Sequence, residues 1–280
     1  MDIPFPQFLI ETGQLMEMID DPSLRIIDCT YFISYREDHS VELTSGLAQW
    51  QKAHIPGSVF IDLQVELSDA ATPIPFMMAP PAQFEQVMST HGVDHDCNVV
   101  LYDRENSLWA ARLWWMLRAV GFHRAAVLNG GWKKWEKEGR PVSTQPTTFP
   151  ETSFSARPDP ALITDKAQVL RSLDDPDMRR VCGLSKEHFD HAHIPSSINV
   201  GADLLIDPDH NTFIPVSEMK TLFESRGLRK TDRIITYCGG GIAGACCAFA
   251  FTMAGYENIA LYDGSMEEWA RDSGLPLEKT

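Results

Sequence analysis

The chain carries one internal repeat at the scale of a whole domain, and this limits its possible folds more than any single motif does. Ala53-His54-Ile55-Pro56-Gly57-Ser58-Val59 returns as Ala192-His193-Ile194-Pro195-Ser196-Ser197-Ile198. Asn98-Val99-Val100-Leu101-Tyr102-Asp103 returns as Arg233-Ile234-Ile235-Thr236-Tyr237-Cys238. Ala119-Val120-Gly121-Phe122 pairs with Met253-Ala254-Gly255-Tyr256, and Val127–Trp135 with Leu261–Trp269. The offset is 139 from His54 to His193, 135 from Asp103 to Cys238, and 134 from Gly121 to Gly255 and from Trp135 to Trp269. Four matches in one order at a nearly constant offset indicate duplication of a domain, not a solenoid of short repeats. A length of 280 residues suits two domains of ordinary size. The segment Pro141–Pro160, rich in Pro, Ser and Thr without an apolar period, marks the junction. The expected division is a first domain over 1–145, a linker over 146–160 and a second domain over 161–280.

Within each half, strand and helix signals alternate. Leu24–Cys29, Val99–Tyr102 and Ala125–Leu128 read as buried strands in the first half, as do Ser197–Val200, Arg233–Tyr237 and Ile259–Tyr262 in the second. Pro81–His91 and Ser217–Arg226 have helical periodicity and are each followed by glycine, while Ala243–Met253 is so apolar that it must be buried. Such alternation predicts an α/β fold in which each domain is a mostly parallel sheet flanked by helices. Reactive groups in such sheets gather at the carboxyl ends of strands.

A net charge of −15 argues against nucleic acid or an anionic membrane as partner. A small anionic substrate stays possible, because a site can be locally positive. Met1–Pro6 has neither the basic segment nor the apolar run of an export signal, and no stretch is apolar enough to span a bilayer, so a cytoplasmic location is expected. None of the cysteines (Cys29, Cys97, Cys182, Cys238, Cys246 and Cys247) lies in a CxxC pair, which argues against structural zinc and for free thiols.

One of these cysteines stands apart. Cys238 ends a predicted strand and is followed by Gly239-Gly240-Gly241-Ile242-Ala243-Gly244, which runs into the buried helix. A glycine loop at a helix N-terminus can turn several N–H groups toward one point, forming an anion-binding nest that favours thiolate over thiol. The same donors suit the outer sulfur of a persulfide or an anionic leaving group. The plain alternative is a buried cysteine beside a tight turn, and that reading fits Cys246 and Cys247 inside the helix. Cys29 and Cys182 are expected near the surface at strand ends, and Cys97 in an inert polar turn. The first half holds Asp103 at the position of Cys238, followed by Arg104-Glu105-Asn106-Ser107-Leu108-Trp109, with neither thiol nor glycine. That half is expected to be non-catalytic, serving as scaffold and as one wall of an interdomain cleft.

Other residues read as structural. His54 and His193 head matching turns although only one half can be catalytic, so each ring is expected to bond to backbone. Arg112, Trp114 and Trp115 read as core or interface packing, Asp263-Gly264 as a turn, and Asp62 with Glu66 as a carboxylate pair without acid–base context. A cysteine phosphatase would need an arginine six residues after the thiol. That position is Gly244, and the loop holds no Lys or Arg.

Together these motifs resemble the tandem-domain rhodanese family, the thiosulfate and 3-mercaptopyruvate sulfurtransferases, over nearly the whole chain. The family's early mark is matched by Trp50-Gln51-Lys52-Ala53-His54-Ile55-Pro56-Gly57, and its late mark by Tyr262-Asp263-Gly264-Ser265-Met266-Glu267-Glu268-Trp269, with Met266 where an aromatic is usual. An Asp such as Asp103 is common in the family's inactive domain. The resemblance implies that Cys238 takes a sulfane sulfur from a small anionic donor, thiosulfate or 3-mercaptopyruvate. It would pass that sulfur to a thiol, cyanide or a protein, with backbone N–H groups of Gly239 to Gly244 holding the persulfide and no metal or other cofactor. Two departures bear on the donor. The loop lacks both the basic residues of thiosulfate-type loops and the serine of mercaptopyruvate-type loops. Val181-Cys182-Gly183-Leu184 stands where the family often has Asp-Ala-Arg or Asp-Ser-Arg. Arg36 and Arg104 are the candidates to replace the missing arginine. The alternative function is a non-enzymatic sulfur-relay or regulatory binding module.

Overall fold

In a computed structural model, which describes residues 5–35 and 41–280, the chain separates into two compact units. The first comprises residues 1–67, 79–157 and 208–212, and the second comprises 68–78, 158–207 and 213–280. Segment 68–78 therefore belongs to the second unit although it lies in the first half of the sequence.

The first unit contains β1 (Leu9–Ile10), α1 (Thr12–Met18), β2 (Leu24–Asp28), β3 (Tyr31–Tyr35), β4 (Val41–Ser45), α2 (Leu47–Lys52), β5 (Ser58–Phe60), α3 (Pro81–Thr90), β6 (Asn98–Tyr102), α4 (Leu108–Ala119), β7 (Ala125–Leu128) and α5 (Gly131–Lys137). The second contains β8 (Ile163–Thr164), α6 (Lys166–Ser172), β9 (Met178–Cys182), α7 (Lys186–His191), β10 (Ile198–Asn199), a 3-10 turn (Ala202–Leu205), α8 (Val216–Ser225), β11 (Arg233–Tyr237), α9 (Ile242–Met253), β12 (Ile259–Tyr262) and α10 (Ser265–Trp269).

Each unit holds a five-stranded sheet of the same order, β1-β7-β6-β2-β5 and β8-β12-β11-β9-β10, with every pairing parallel. The strand after which Asp103 or Cys238 emerges is central in both. Central parallel strands are covered on both faces, which is why every residue of β6 and all of β11 but Arg233 are buried. The sequence pattern found these strands and the helices α3, α8 and α9 to within a residue or two. It did not find the short strands β1, β5 and β8 or the antiparallel β3–β4 hairpin, and for β9 it placed a strand end at Cys182 without giving the strand a range. Strands of two or three residues carry too little periodicity to register.

One tyrosine in each sheet ties its central strand to the His-Ile-Pro turn. Tyr102 Oη accepts from Ile55 N–H at 3.4 Å, and Tyr237 Oη accepts from Ile194 N–H at 3.0 Å. The histidines of those turns are buried and bonded to backbone, as expected. His54 Nδ1 lies 2.7 Å from Trp50 O and its ring stacks on Trp50, while His193 Nδ1 lies 2.8 Å from Phe189 O and stacks on Phe189. Asp62 and Glu66 are likewise structural: Asp62 accepts from Gln64 and Val65 N–H, while Glu66 accepts from Asp62 N–H and lies 3.0 Å from His91 Nε2. Residues 141–160 form no helix or strand but pack onto the first unit through buried Phe154 and a bond from Arg157 N–H to Val120 O at 2.8 Å. No helix among the described residues is long and apolar enough to cross a membrane.

Candidate active site

The β11–α9 loop begins where the strand runs out of partners. Cys238 follows Tyr237, the last residue of β11 paired with β9. Three residues, Gly239 to Gly241, then separate the thiol from the helix. Gly241 sits at φ +83° as the helix cap, a left-handed conformation that glycine adopts without steric penalty. Ile242, Ala243 and Gly244 form the first turn of α9, and Gly244 is buried. Among the described residues, none accepts a hydrogen bond from the N–H groups of Gly239 through Gly244, and the first closure is Ala245 N–H to Gly241 O at 3.0 Å. A helix start leaves such donors open, and here the loop adds more.

The thiol itself is recessed, with Cys238 only 2% exposed, beneath a rim of half-buried Gly239, Gly240, Ile242 and Ala243. Its peptide is fixed from α10. Ser265 Oγ accepts from Cys238 N–H at 3.0 Å, Met266 N–H donates to Cys238 O at 3.0 Å, and Glu267 N–H donates to Gly239 O at 2.8 Å. Gly183, which follows β9, lies under the loop. A Cβ there would stand 2.9 Å from Ala243 O and 3.0 Å from Cys247 Sγ, so only glycine fits. Leu184 lies against Gly239.

The corresponding loop of the first unit is closed. Four residues, Arg104 to Ser107, separate Asp103 from α4, one more than in the second unit, and this accounts for the change of repeat offset from 135 to 134. The Asp103 carboxylate accepts from Glu105 N–H at 2.9 Å, Ser107 N–H at 3.0 Å and Ala110 N–H at 3.0 Å. Burial pushes its pKa up, and the ring of amides opposes that rise. Beneath it, Asp28 and Arg104 form a buried ion pair at 3.2 Å, and the guanidinium stacks on Trp132. Arg104 is thus committed within its own unit, which corrects the expectation that it stands in for the missing substrate arginine. Arg36 lies outside the described residues.

Sheet register makes Cys182 the counterpart of Asp28, since Asp28 pairs with Tyr102 as Cys182 pairs with Tyr237. Cys29 and Cys182 are both fully buried, contrary to the expected surface position, because β2 and β9 are interior strands covered on both sides. Burial, together with nearby Cys238, pushes the Cys182 thiol up to about 12. Burial raises Cys247 far above its ordinary range as well, with Cys246, Cys238 and Cys182 adding to the effect. Cys97 is buried too, its Sγ 3.5 Å from Gly92 O. Arg112, Trp114 and Trp115 are buried in α4, and Asp263 holds Met78 N–H at 2.7 Å, a turn-fixing role. The sequence reading passed over Ser265 and Gly183. The available signal for Ser265 was that the repeat pairs it with Gly131, a serine where the other half has glycine.

The rhodanese-like domain model matches residues 11–138 and again 167–272. The 3-mercaptopyruvate sulfurtransferase of Escherichia coli strain K12 is 30% identical over 276 residues, covering 94% of this chain and 95% of that one. The thiosulfate sulfurtransferase of Rattus norvegicus is 30% identical over 281 residues, covering 94% and 92%. The crystal structure of the Escherichia coli 3-mercaptopyruvate sulfotransferase SseA superposes with a TM-score of 0.83 at 28% identity, covering 93% of this chain and 99% of that one.

Proposed function

This chain belongs to the rhodanese family and is a sulfurtransferase, and from that premise we propose that Cys238 is the residue on which it carries sulfur. The observation that supports this reading is the contrast between the two loops. In the first unit a ring of backbone amides is filled by the Asp103 carboxylate. In the second, the amides of Gly239, Gly240, Gly241, Ile242, Ala243 and Gly244 are left open around a side chain one atom shorter. An anion of about carboxylate size completes that ring, and the outer sulfur of a persulfide is such an anion.

The reaction proceeds in two displacements. The Cys238 thiolate attacks the outer sulfur of thiosulfate, the sulfur–sulfur bond breaks, and its electron pair leaves with sulfite. With 3-mercaptopyruvate the carbon–sulfur bond breaks instead, and the enolate of pyruvate takes up a proton. The Cys238 persulfide then meets an acceptor, a thiol, cyanide or a protein thiol, which attacks the outer sulfur and returns the electron pair to Cys238. The open amides hold the negative charge of the outer sulfur between the two steps. Residues 161–280 carry this chemistry, and 1–145 form the non-catalytic domain, joined by 146–160. The setting is cytoplasmic, with small-molecule donors and neither nucleic acid nor membrane as partner.

Incubation with thiosulfate or 3-mercaptopyruvate followed by intact-protein mass spectrometry tests the assignment. The protein gains one sulfur atom, the gain is reversed by cyanide, and Cys238→Ser gains none. If no donor loads sulfur onto the wild-type protein, the chain acts as a binding module instead.

A further inference from the structure

We propose that Ser265 is a positioning residue for sulfur transfer, holding the Cys238 main chain so that the side chain keeps one aim through both displacements. This rests on the assignment of Cys238 above. Ser265 stands at φ +49°, in the left-handed region that a residue with a Cβ seldom occupies. The first unit avoids that conflict at the same point. Its counterpart is Gly131, at φ +53°, and a Cβ on Gly131 would lie 2.5 Å from Asp103 O. Both units bond the carbonyl at the strand end in the same way, Trp132 N–H donating to Asp103 O at 2.9 Å and Met266 N–H to Cys238 O at 3.0 Å, although the preceding glycines differ, Gly130 at φ +90° and Gly264 at φ −63°. The second unit thus places a side chain where the first has glycine, and that side chain is fully buried.

The hydroxyl accounts for the exception. Ser265 Oγ donates to Tyr262 O at 2.8 Å, which fixes its rotamer, and accepts from Cys238 N–H at 3.0 Å. Cys238 is then held through both peptide groups that flank its Cα, at N–H by a side chain and at C=O by the Met266 amide. The thiol is followed by three glycines, the least restrained backbone available. The Ser265 anchor at Cys238 N–H adds to the Met266 and Glu267 bonds at Cys238 O and Gly239 O, so the backbone is fixed on both sides of the thiol. Asp103 needs no such anchor, because its own carboxylate is tied to the loop amides. A cysteine makes no such ties in the resting enzyme and must stay aimed as it gains and loses an outer sulfur.

The variant Ser265→Gly removes the hydroxyl and relieves the strained conformation together, so a purely structural role predicts a protein at least as stable and as fast as wild type. Positioning predicts that the saturating rate of sulfur uptake, read by rapid-quench mass spectrometry in a single turnover, falls about tenfold. The donor concentration giving half that rate should stay within about twofold, since an interaction realised in the reacting geometry lowers the rate and not the binding. Ser265→Ala, which keeps the Cβ without the hydroxyl, should show the same loss of rate and serves if the glycine variant does not fold. A wild-type rate in either folded variant overturns the proposal. So does a loss confined to the half-saturating concentration, which would make Ser265 a donor-binding group. If the wild-type protein itself gains no sulfur, the Cys238 assignment falls and this inference with it. A wild type that loads while the variants match it removes this inference alone.

Discussion

The loop after β6 and the loop after β11 begin on equivalent strands and end on equivalent left-handed caps, Ser107 at φ +64° and Gly241 at φ +83°. They differ by one residue in length and in what occupies the amide ring. The first is filled from within, by a carboxylate over a buried Asp28–Arg104 pair. The second has Cys238 over Cys182 and Gly183, with a thiol where the first has the Asp28 carboxylate and open N–H groups around it. The comparison teaches that the loop's backbone amides hold a carboxylate in one unit and stand open in the other, and on the reading proposed above the open ring receives the anion of the substrate. The residue at the strand end decides whether the ring is filled from within, as by Asp103, or left open, as beside Cys238.

The strongest attempt to break the comparison is to exchange the two residues. Cys238→Asp supplies the second ring with the internal anion of the first, and sulfur uptake should fall more than about 10³-fold with the fold intact by circular dichroism. Asp103→Cys should gain no sulfur under the same mass-spectrometric assay, because nothing equivalent to Ser265 aims a thiol there. A loaded Asp103→Cys would break the distinction drawn between the loops.

Arg104→Met tests the ion pair that only the first loop has. It strands the buried Asp28 carboxylate, and unfolding in urea should lose about 3–5 kcal/mol. Tryptophan fluorescence follows the right unit, since Trp269 alone of the seven tryptophans lies in the second. Sulfur loading measured below the transition should be unchanged. Gly183→Ala is the complementary perturbation of the second loop. Its Cβ would press on the Ala243 carbonyl at 2.9 Å, where Cys29 is tolerated at the matching point of the first unit. A loss of about 1–3 kcal/mol by overpacking should accompany slower sulfur uptake.

The smallest effect is one of reactivity among the thiols of the second unit. With its pKa raised to about 12, Cys182 is protonated at neutral pH, and its thiolate fraction near pH 8 is on the order of 10⁻⁴. Below about pH 9, iodoacetamide should therefore modify Cys238 ahead of Cys182, Cys246 and Cys247, which react only after unfolding. Peptide mapping of the native protein reads this directly, and early labelling of Cys182 would show that β9 is less enclosed than its burial implies.

How much of this was legible in the sequence depends on the range of the interaction concerned. The duplication, the central strands Asn98–Tyr102 and Arg233–Tyr237, the apolar helix after Cys238 and the glycine loop are local patterns, and they were read correctly. The surface placement of Cys29 and Cys182 failed because a strand end looks the same in sequence whether the strand lies at an edge or in the middle. The same gap let Arg104 stand as a candidate for substrate contact, when Asp28, 76 residues away, holds it inside the first unit.

By itself the sequence determined that two α/β domains follow one another, that one carries a thiol where the other carries a carboxylate, and that glycines surround only the thiol. Only the tertiary structure decided what holds that thiol, since Ser265 meets Cys238 across 27 residues because β12 lies beside β11 with Thr236 opposite Leu261. The physical reason is that a parallel sheet aligns segments through backbone hydrogen bonds that nearly every residue can make whatever its side chain. Its register, and every contact made at its carboxyl edge, follows from packing of the whole layer and not from any one stretch of residues.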